Sequence, residues 1–328
     1  MNKKLLLLLV LVAIQAIQSA RADYFASIVP QTLSYTFKNL VIPENVGQSN
    51  GAWKDGGSLL IQIQSSEGRG SYIDLNVAGT LVGDNTYATS NPGIGIKYKT
   101  TISSVTDTGG QTETAPNFRF VMGNDATSSD ILRTYLHVQY QIVRLLDKIP
   151  PGQITYAPEV SATLYNPDGE GDSVITTSVY STSVSVQPTI TACGIDAPAE
   201  IKLSPLYGNN VQSGPLNVSP AQTIKLTNCP GAINGIKYNF AAVYGTHLAS
   251  KGVLNTVTGD GYAEGVYIQV QNADGTAHRV NGAIAVSGYN GSGDYTLPDF
   301  KVAYYVDDVN SVRPGNVKSA IEIKLSYN

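Results

Sequence analysis

Ser49 lies in Gly47-Gln48-Ser49-Asn50-Gly51, a match to the G-x-S-x-G pattern of serine acyl-transfer enzymes. That chemistry needs a strand before the serine and a helix after it, so that a strained turn exposes the hydroxyl. Here Pro43-Glu44-Asn45 precedes it and Ala52-Trp53-Lys54-Asp55-Gly56-Gly57 follows, so a loop is expected instead. His137 falls on the polar face of an alternating strand, and no second histidine accompanies it in the same half to form a metal pair. Asp168-Gly169-Glu170-Gly171-Asp172 sets alternating acids in a glycine-rich loop, as some calcium loops do, but lacks the later bidentate glutamate of an EF-hand. A solvated hairpin turn is the expected reading. No nucleophile, acid and base converge. The chain is expected not to be an enzyme and to need neither cofactor nor metal.

Binding residues are easier to find. Trp53, the single tryptophan, stands in a glycine-rich stretch beside Lys54 and Asp55. An aromatic face that stacks on a pyranose, next to a carboxylate that binds hydroxyls, is a sugar-site combination, and loops on a rigid sandwich are where such residues sit. The competing reading makes Trp53 a core plug at the end of a sandwich. Asp84, Asn85 and Tyr87 form a second polar–aromatic loop of the same kind. Asp23 and Tyr24 would form the mature N-terminus if a leader is removed.

Such a leader is expected at residues 1–22. Lys3 and Lys4 precede an apolar run from Leu5 to Ile14, and Ala20-Arg21-Ala22 supplies a small-x-small cleavage site. The whole chain carries 21 Lys+Arg against 25 Asp+Glu. Removing Lys3, Lys4 and Arg21 leaves 18 against 25, a balance of −7 (18 − 25), which argues against nucleic acid as a partner. Only 14% of residues are charged, and 32 glycines and 20 tyrosines give the composition of an exported all-β protein rich in turns. In an oxidising compartment Cys193 and Cys229, the two cysteines, are expected to pair.

The elements that would position these residues are strands throughout. Alternating segments in the first half are Leu33–Leu40, Leu59–Gln64, Tyr72–Val77, Ile94–Thr100, Phe118–Met122, Leu136–Ile142, Val160–Tyr165 and Val174–Val186. Those in the second are Ile201–Leu203, Thr223–Cys229, Lys237–Ala241, Gly265–Gln271, Phe300–Val306 and Lys318–Tyr327. Short strands at this spacing predict sandwiches. A boundary is expected near Gln187-Pro188-Thr189, dividing residues 23–187 from 188–328. In the last segment Ile321, Ile323, Leu325 and Tyr327 alternate with Glu322, Lys324 and Ser326, and Asn328 follows. An apolar strand with no partner in its own chain is an aggregation hazard unless another chain is meant to pair with it. It is therefore expected to be an assembly site.

Thr191-Ala192-Cys193, Ile224-Lys225-Leu226-Thr227-Asn228-Cys229-Pro230, Gly265-Val266-Tyr267-Ile268-Gln269-Val270 with Asp274-Gly275, Phe300-Lys301-Val302-Ala303-Tyr304-Tyr305 and Val312-Arg313-Pro314-Gly315-Asn316-Val317, followed by the penultimate Tyr327, resemble in order and spacing the pilin domain of chaperone–usher fimbriae. Lys148-Ile149-Pro150-Pro151-Gly152-Gln153-Ile154 is similar to a segment late in the lectin domains of fimbrial adhesins. A whole β-domain stands ahead of the cysteines where ordinary pilins carry a short donor segment, so the architecture resembles a two-domain tip adhesin. The resemblance implies an immunoglobulin-like second sandwich that lacks its final strand. A periplasmic chaperone would lend that strand first, and an adjacent pilin would then supply a donor strand at the outer-membrane usher. Ile321, Ile323, Leu325, Tyr327 and Asn328 would wall the receiving groove. The first domain, a lectin, would bind a host glycan or glycoprotein receptor from the fibre tip at the cell surface. The rival readings are a minor structural subunit, with Ala26–Phe37 as a donor strand; an adhesin for matrix protein without lectin activity; and a secreted hydrolase.

Overall fold

The computed structural model describes residues 26–28, 32–64, 72–104, 111–114, 118–121, 131–165 and 174–328. Residues 1–25, which include the expected leader and Asp23-Tyr24, and the acidic stretch 168–172 lie outside the described residues. Regular structure is all-β apart from three single-turn 3-10 helices.

In the first half the strands are β1 (Ala26–Ile28), β2 (Leu33–Thr36), β3 (Lys54–Gln64), β4 (Tyr72–Ala78), β5 (Leu81–Gly83), β6 (Thr86–Ala88), β7 (Ile94–Ser104), β8 (Gln111–Thr114), β9 (Phe118–Val121), β10 (Ile131–Arg144), β11 (Glu159–Tyr165) and β12 (Val174–Val186). They make two sheets. One has the order β1-β3-β10-β7-β6-β5 with β8 paired to β7, and the other β2-β12-β11-β4-β9. All pairings are antiparallel except β2 with β12.

Period-two alternation explains the sandwich. On β10, Leu136, Val138, Tyr140 and Ile142 are almost fully buried and face Ile73, Leu75, Val160 and Leu164 of the other sheet's strands in one core. Five tyrosines also enter this core, and the hydroxyls of Tyr35, Tyr98, Tyr140 and Tyr180 are bonded within it. Tyr35 and Tyr98 share a 2.7 Å bond, Tyr35 also donates to the Pro158 carbonyl, Tyr140 donates to Thr36 O at 2.7 Å, and Tyr180 donates to Val138 O at 2.8 Å. Burial pushes the Tyr140 phenol up to about 12 and those of Tyr35 and Tyr98 well above the ordinary value. Gly56 is required by this arrangement, because a Cβ there would lie 1.8 Å from the Tyr180 hydroxyl.

In the second half the strands are β13 (Gly194–Asp196), β14 (Gly214–Leu216), β15 (Lys225–Cys229), β16 (Ile236–Ala242), β17 (Thr246–Leu248), β18 (Val253–Leu254), β19 (Val266–Asn272), β20 (Ile284–Ala285), β21 (Gly293–Thr296), β22 (Phe300–Val306) and β23 (Ile321–Tyr327). They form sheets of order β13-β15-β21, β14-β22-β19-β18-β17 and β20-β16-β23. A separate core, including Ile224, Leu226, Phe240, Val270 and Phe300, fills this half. Cys193 and Cys229 form a disulfide beside it.

The halves meet along a hydrogen-bonded seam. Ile149, 2% exposed, donates its N–H to Ser292 Oγ at 2.8 Å, and its carbonyl accepts from the Ser292 N–H at 2.9 Å. The Gly152 N–H donates to Ile233 O at 2.8 Å, and the Ala232 N–H to Pro150 O at 3.0 Å. Cβ atoms at Gly231 and Gly291 would stand 2.3 and 2.4 Å from the Ile149 carbonyl oxygen. The stretch 148–154 thus serves at this seam.

The structure corrects one expected strand and one expected loop. Ile201–Leu203 carries no strand: the segment keeps the alternating burial of one but has no ladder partner among the described residues. The Gly-rich Lys54-Asp55-Gly56-Gly57, expected as loop, begins β3.

Candidate functional site: an open cleft between two unpaired edges

The terminal strand β23 alternates as its sequence predicts, with half-buried Ile321, Ile323, Leu325 and Tyr327 and exposed Glu322, Lys324 and Ser326. The expectation that it has no partner in its own chain is corrected on one side. It pairs antiparallel with β16 over its whole length, from Ile236↔Tyr327 to Ala242↔Ile321. The apolar alternation of β16 was visible in the sequence, but not that it would seek this register. On its other side β23 is the edge of its sheet.

Beside that open edge lies a cleft of about 920 Å³. Ile321 and Ile323 line one wall, and Ile201, Leu203 and their neighbours from Ala197 onward line the other. The floor is the core itself, including Ile224, Val270, Phe300 and Val302. One wall is the free edge of β23 and the other is the strand-free segment from Ala197 to Leu203, and neither has a ladder partner on the cleft side among the described residues. Backbone N–H and C=O groups are obligatory hydrogen-bonding groups, and a strand laid between these walls would satisfy two rows of them at once.

The other predicted wall residues have different places. Leu325 packs against the core without lining the cleft. The Tyr327 hydroxyl accepts from the Cys193 N–H at 2.8 Å, tying the strand's end to the disulfide. Asn328 exchanges backbone bonds with Gly235 at 3.1 Å in both directions. The cleft therefore closes toward Tyr327 and opens toward Ile321.

The candidate receptor residues are not brought together. Trp53 is half-buried, outside the buried core, with the ammonium groups of Lys97 and Lys99 5.8 and 5.2 Å from its ring centroid. Asp55 lies on β3 in register with Gln139 of β10. Asp84 and Asn85 cap the β5–β6 hairpin, and Asn85 takes φ +53, a left-handed turn position that asparagine tolerates. Tyr87 is a correction: its ring is 4% exposed and edge-on to Tyr98 in the core, where no receptor could stack on it. Its position on the inward face of β6 follows from pairing with Ile96, a long-range contact that local sequence does not reveal.

The serine motif lacks its required setting. Ser49 forms an isolated bridge with Val143, and no helix follows it. The segment Ala26–Phe37 is spent internally: β1 pairs with β3, β2 pairs with β12, and Tyr35 and Phe37 are fully buried. That removes it as a donor strand.

Residues 180–328, which contain the whole cleft, match the family model described as fimbrial protein. The matched residues hold the disulfide, the cleft and the terminal strand. Over its length the chain is similar to the CupB6 tip adhesin from Pseudomonas aeruginosa, at 17% identity and a TM-score of 0.40, with 92% of this chain and 93% of that one covered. It is also similar to a tip adhesin of CFA/I fimbriae in a chaperone–tip adhesin complex, at 10% identity and a TM-score of 0.25, covering 91% of this chain and 97% of that one. A chaperone–usher pilus structure aligns with 49% of this chain and 98% of its own at 21% identity and a TM-score of 0.31. No curated protein matches the sequence. The family match explains why the cysteine motif, the alternating terminal strand and the disulfide occur together in the fimbrial domain.

Proposed function

We propose that this chain is a fimbrial tip adhesin, built from a receptor-binding sandwich at residues 23–187 and a fimbrial domain at 188–328 that accepts a donor strand. The observation that carries the second part is the cleft between the free edge of β23 and the segment from Ala197 to Leu203, which has no ladder partner among the described residues, with apolar core as its floor. A strand entering there forms main-chain hydrogen bonds to both walls, each worth about 1 kcal/mol net, and buries half-exposed Ile201, Leu203, Ile321 and Ile323. A periplasmic chaperone supplies the strand first, and the adjacent fibre subunit, delivered through an outer-membrane usher, replaces it.

The first sandwich carries the receptor function, with a host glycan as ligand and no chemical turnover. Support for placing the chain at the fibre's end is that Ala26–Phe37 is built into the first sandwich and is not available to a neighbour. Display at a tip on many fibres lets weak single-site affinity suffice through avidity.

Ile323→Asp places a charge on the cleft wall without touching the first sandwich. The variant is expected to lose incorporation into fibres, scored by surface labelling, while the purified chain keeps wild-type binding on a glycan array. Normal incorporation of Ile323→Asp would contradict the cleft's role. No binding of the wild-type chain to any sugar, with saturable binding to a matrix protein, would contradict the lectin role.

A further inference from the structure

The outer face of the first sheet, where β3, β10 and β7 lie side by side, brings two lysines to one aromatic ring. Cross-strand register sets Gln139 between Asp55 and Lys99, and Gln141 beside Lys97. Tyr98 and Thr100 turn inward and are buried, so Lys97 and Lys99 point together to the outer face. Their ammonium groups converge on one ring, at 5.8 and 5.2 Å from the Trp53 centroid. The two charges are thus at most 11.0 Å apart (5.8 + 5.2). Asp55 stands in the same cross-strand row as Lys99, with Gln139 between them.

Two like charges held on one aromatic face repel each other, and an anion seated between them relieves that repulsion. The ring fixes the pair through cation–π attraction, so the charges are already placed when a ligand arrives. The Gln141 amide is buried, 4% exposed, and spends its N–H on the Gly51 carbonyl at 3.0 Å, which fixes the loop that presents Trp53. Gln139, half-buried in the same row, adds an amide suited to a sugar hydroxyl.

The surrounding charge selects the kind of anion. With 25 acidic against 21 basic residues the chain as a whole repels broad anionic surfaces such as a bilayer or a nucleic-acid duplex. A slender polyanion that reaches only this face within a Debye length of about 8–10 Å feels the lysines and little else. The face is open sheet and not a socket, which suits an extended chain over a single sugar.

We propose that Lys97, Lys99, Trp53 and Gln139 form a binding face for a sulfated glycan chain. The proposal rests on the reading of the first sandwich as a receptor-binding module and names its ligand class. Sulfates engage the two ammonium groups, while Gln139 takes a hydroxyl.

The test uses the purified full chain on immobilised heparin, hyaluronan (carboxylate without sulfate), neutral dextran and polyglutamate. Retention on heparin, weaker retention on hyaluronan, none on dextran or polyglutamate and release by moderate salt are expected. Lys97→Gln with Lys99→Gln is expected to weaken heparin binding roughly tenfold, as the loss of two exposed charge contacts implies. Lys97→Arg with Lys99→Arg keeps the charge and should keep binding, which separates misfolding from lost contact. Lys38→Gln with Lys225→Gln, which removes two exposed lysines elsewhere, should leave it unchanged. Full heparin binding by the Lys97/Lys99 glutamine variant overturns the proposal, as does equal binding to polyglutamate or hyaluronan. Attachment of fibre-bearing cells to host cells separates the two claims. Unchanged attachment by that variant refutes the sulfated-glycan face alone, whereas no attachment by the wild type refutes the receptor-binding reading beneath it.

Discussion

The two cores of this molecule are built from the same alternating strands and end differently. In the first half Tyr35, Tyr98, Tyr140 and Tyr180 are at most 1% exposed, and every one of their hydroxyls is bonded inside the protein. In the second half Ile201, Leu203, Ile321 and Ile323 pack against the core yet stay half-exposed along a cleft. The difference is one strand. β2 is drawn across to run parallel to β12 and completes the first sandwich from within, while none of the described residues fills the gap between β23 and the Ala197–Leu203 segment. Period two alone does not distinguish a sealed sandwich from an open one; that depends on whether the last strand is supplied by the same chain.

The strongest way to break this contrast is to remove the disulfide. Cys193 and Cys229 are 36 residues apart. Losing a cross-link over such a loop costs about 4 kcal/mol in the chain-entropy account. The open half should bear that loss, seen as rapid proteolysis of the fimbrial domain. Trp53 fluorescence, a reporter confined to the first half because the tryptophan is unique, should keep its unfolding midpoint.

Gly56→Ala probes the sealed side. The new Cβ would collide with the Tyr180 hydroxyl and displace its bond to Val138 O. A cost of about 3 kcal/mol is expected in urea titration followed by Trp53. Leu203→Phe adds more volume to the cleft wall but should cost under about 1 kcal/mol, because the added atoms have open space to enter. Equal costs would mean that the halves are packed alike.

A smaller effect is expected from Tyr35→Phe, at about 1–3 kcal/mol, because the Tyr98 hydroxyl and the Pro158 carbonyl lose a buried partner. The pH dependence follows from the raised phenols. A group whose folded pKa is raised contributes stability that is complete below its unfolded value, near 10, and is lost as pH climbs toward its folded value. The Trp53-reported midpoint should therefore fall between pH 10 and about 12, the window set by Tyr140, with Tyr35 and Tyr98 extending it upward. Tyr140→Phe should flatten that fall. Tyr238, Tyr289 and Tyr304 shift in the same direction in the other half, so a reporter confined to the first half is needed.

Much of the fold could be read from the sequence where a strand declares itself locally. Leu136 to Ile142 and Ile321 to Tyr327 alternate in sequence and in burial alike. Pairing was harder to see. That β16 takes β23, and that β6 turns Tyr87 inward against Ile96, are long-range choices made by competing apolar faces. Ile201–Leu203 shows the converse, a strand-like sequence left without a ladder among the described residues. The lysines around Trp53 went unread because Lys97 and Lys99 are more than 40 residues away in sequence, and only the β3–β10–β7 order brings them to its ring.

The central claim, that the cleft receives a strand, is tested most directly by backbone hydrogen exchange on the full chain with and without a peptide of alternating apolar residues fused after Asn328. Slowed exchange is expected on both walls, at residues 199–203 and 321–325, together with a higher melting temperature of the fimbrial domain. Unchanged exchange on both walls, or protection confined to the first sandwich, would contradict the account.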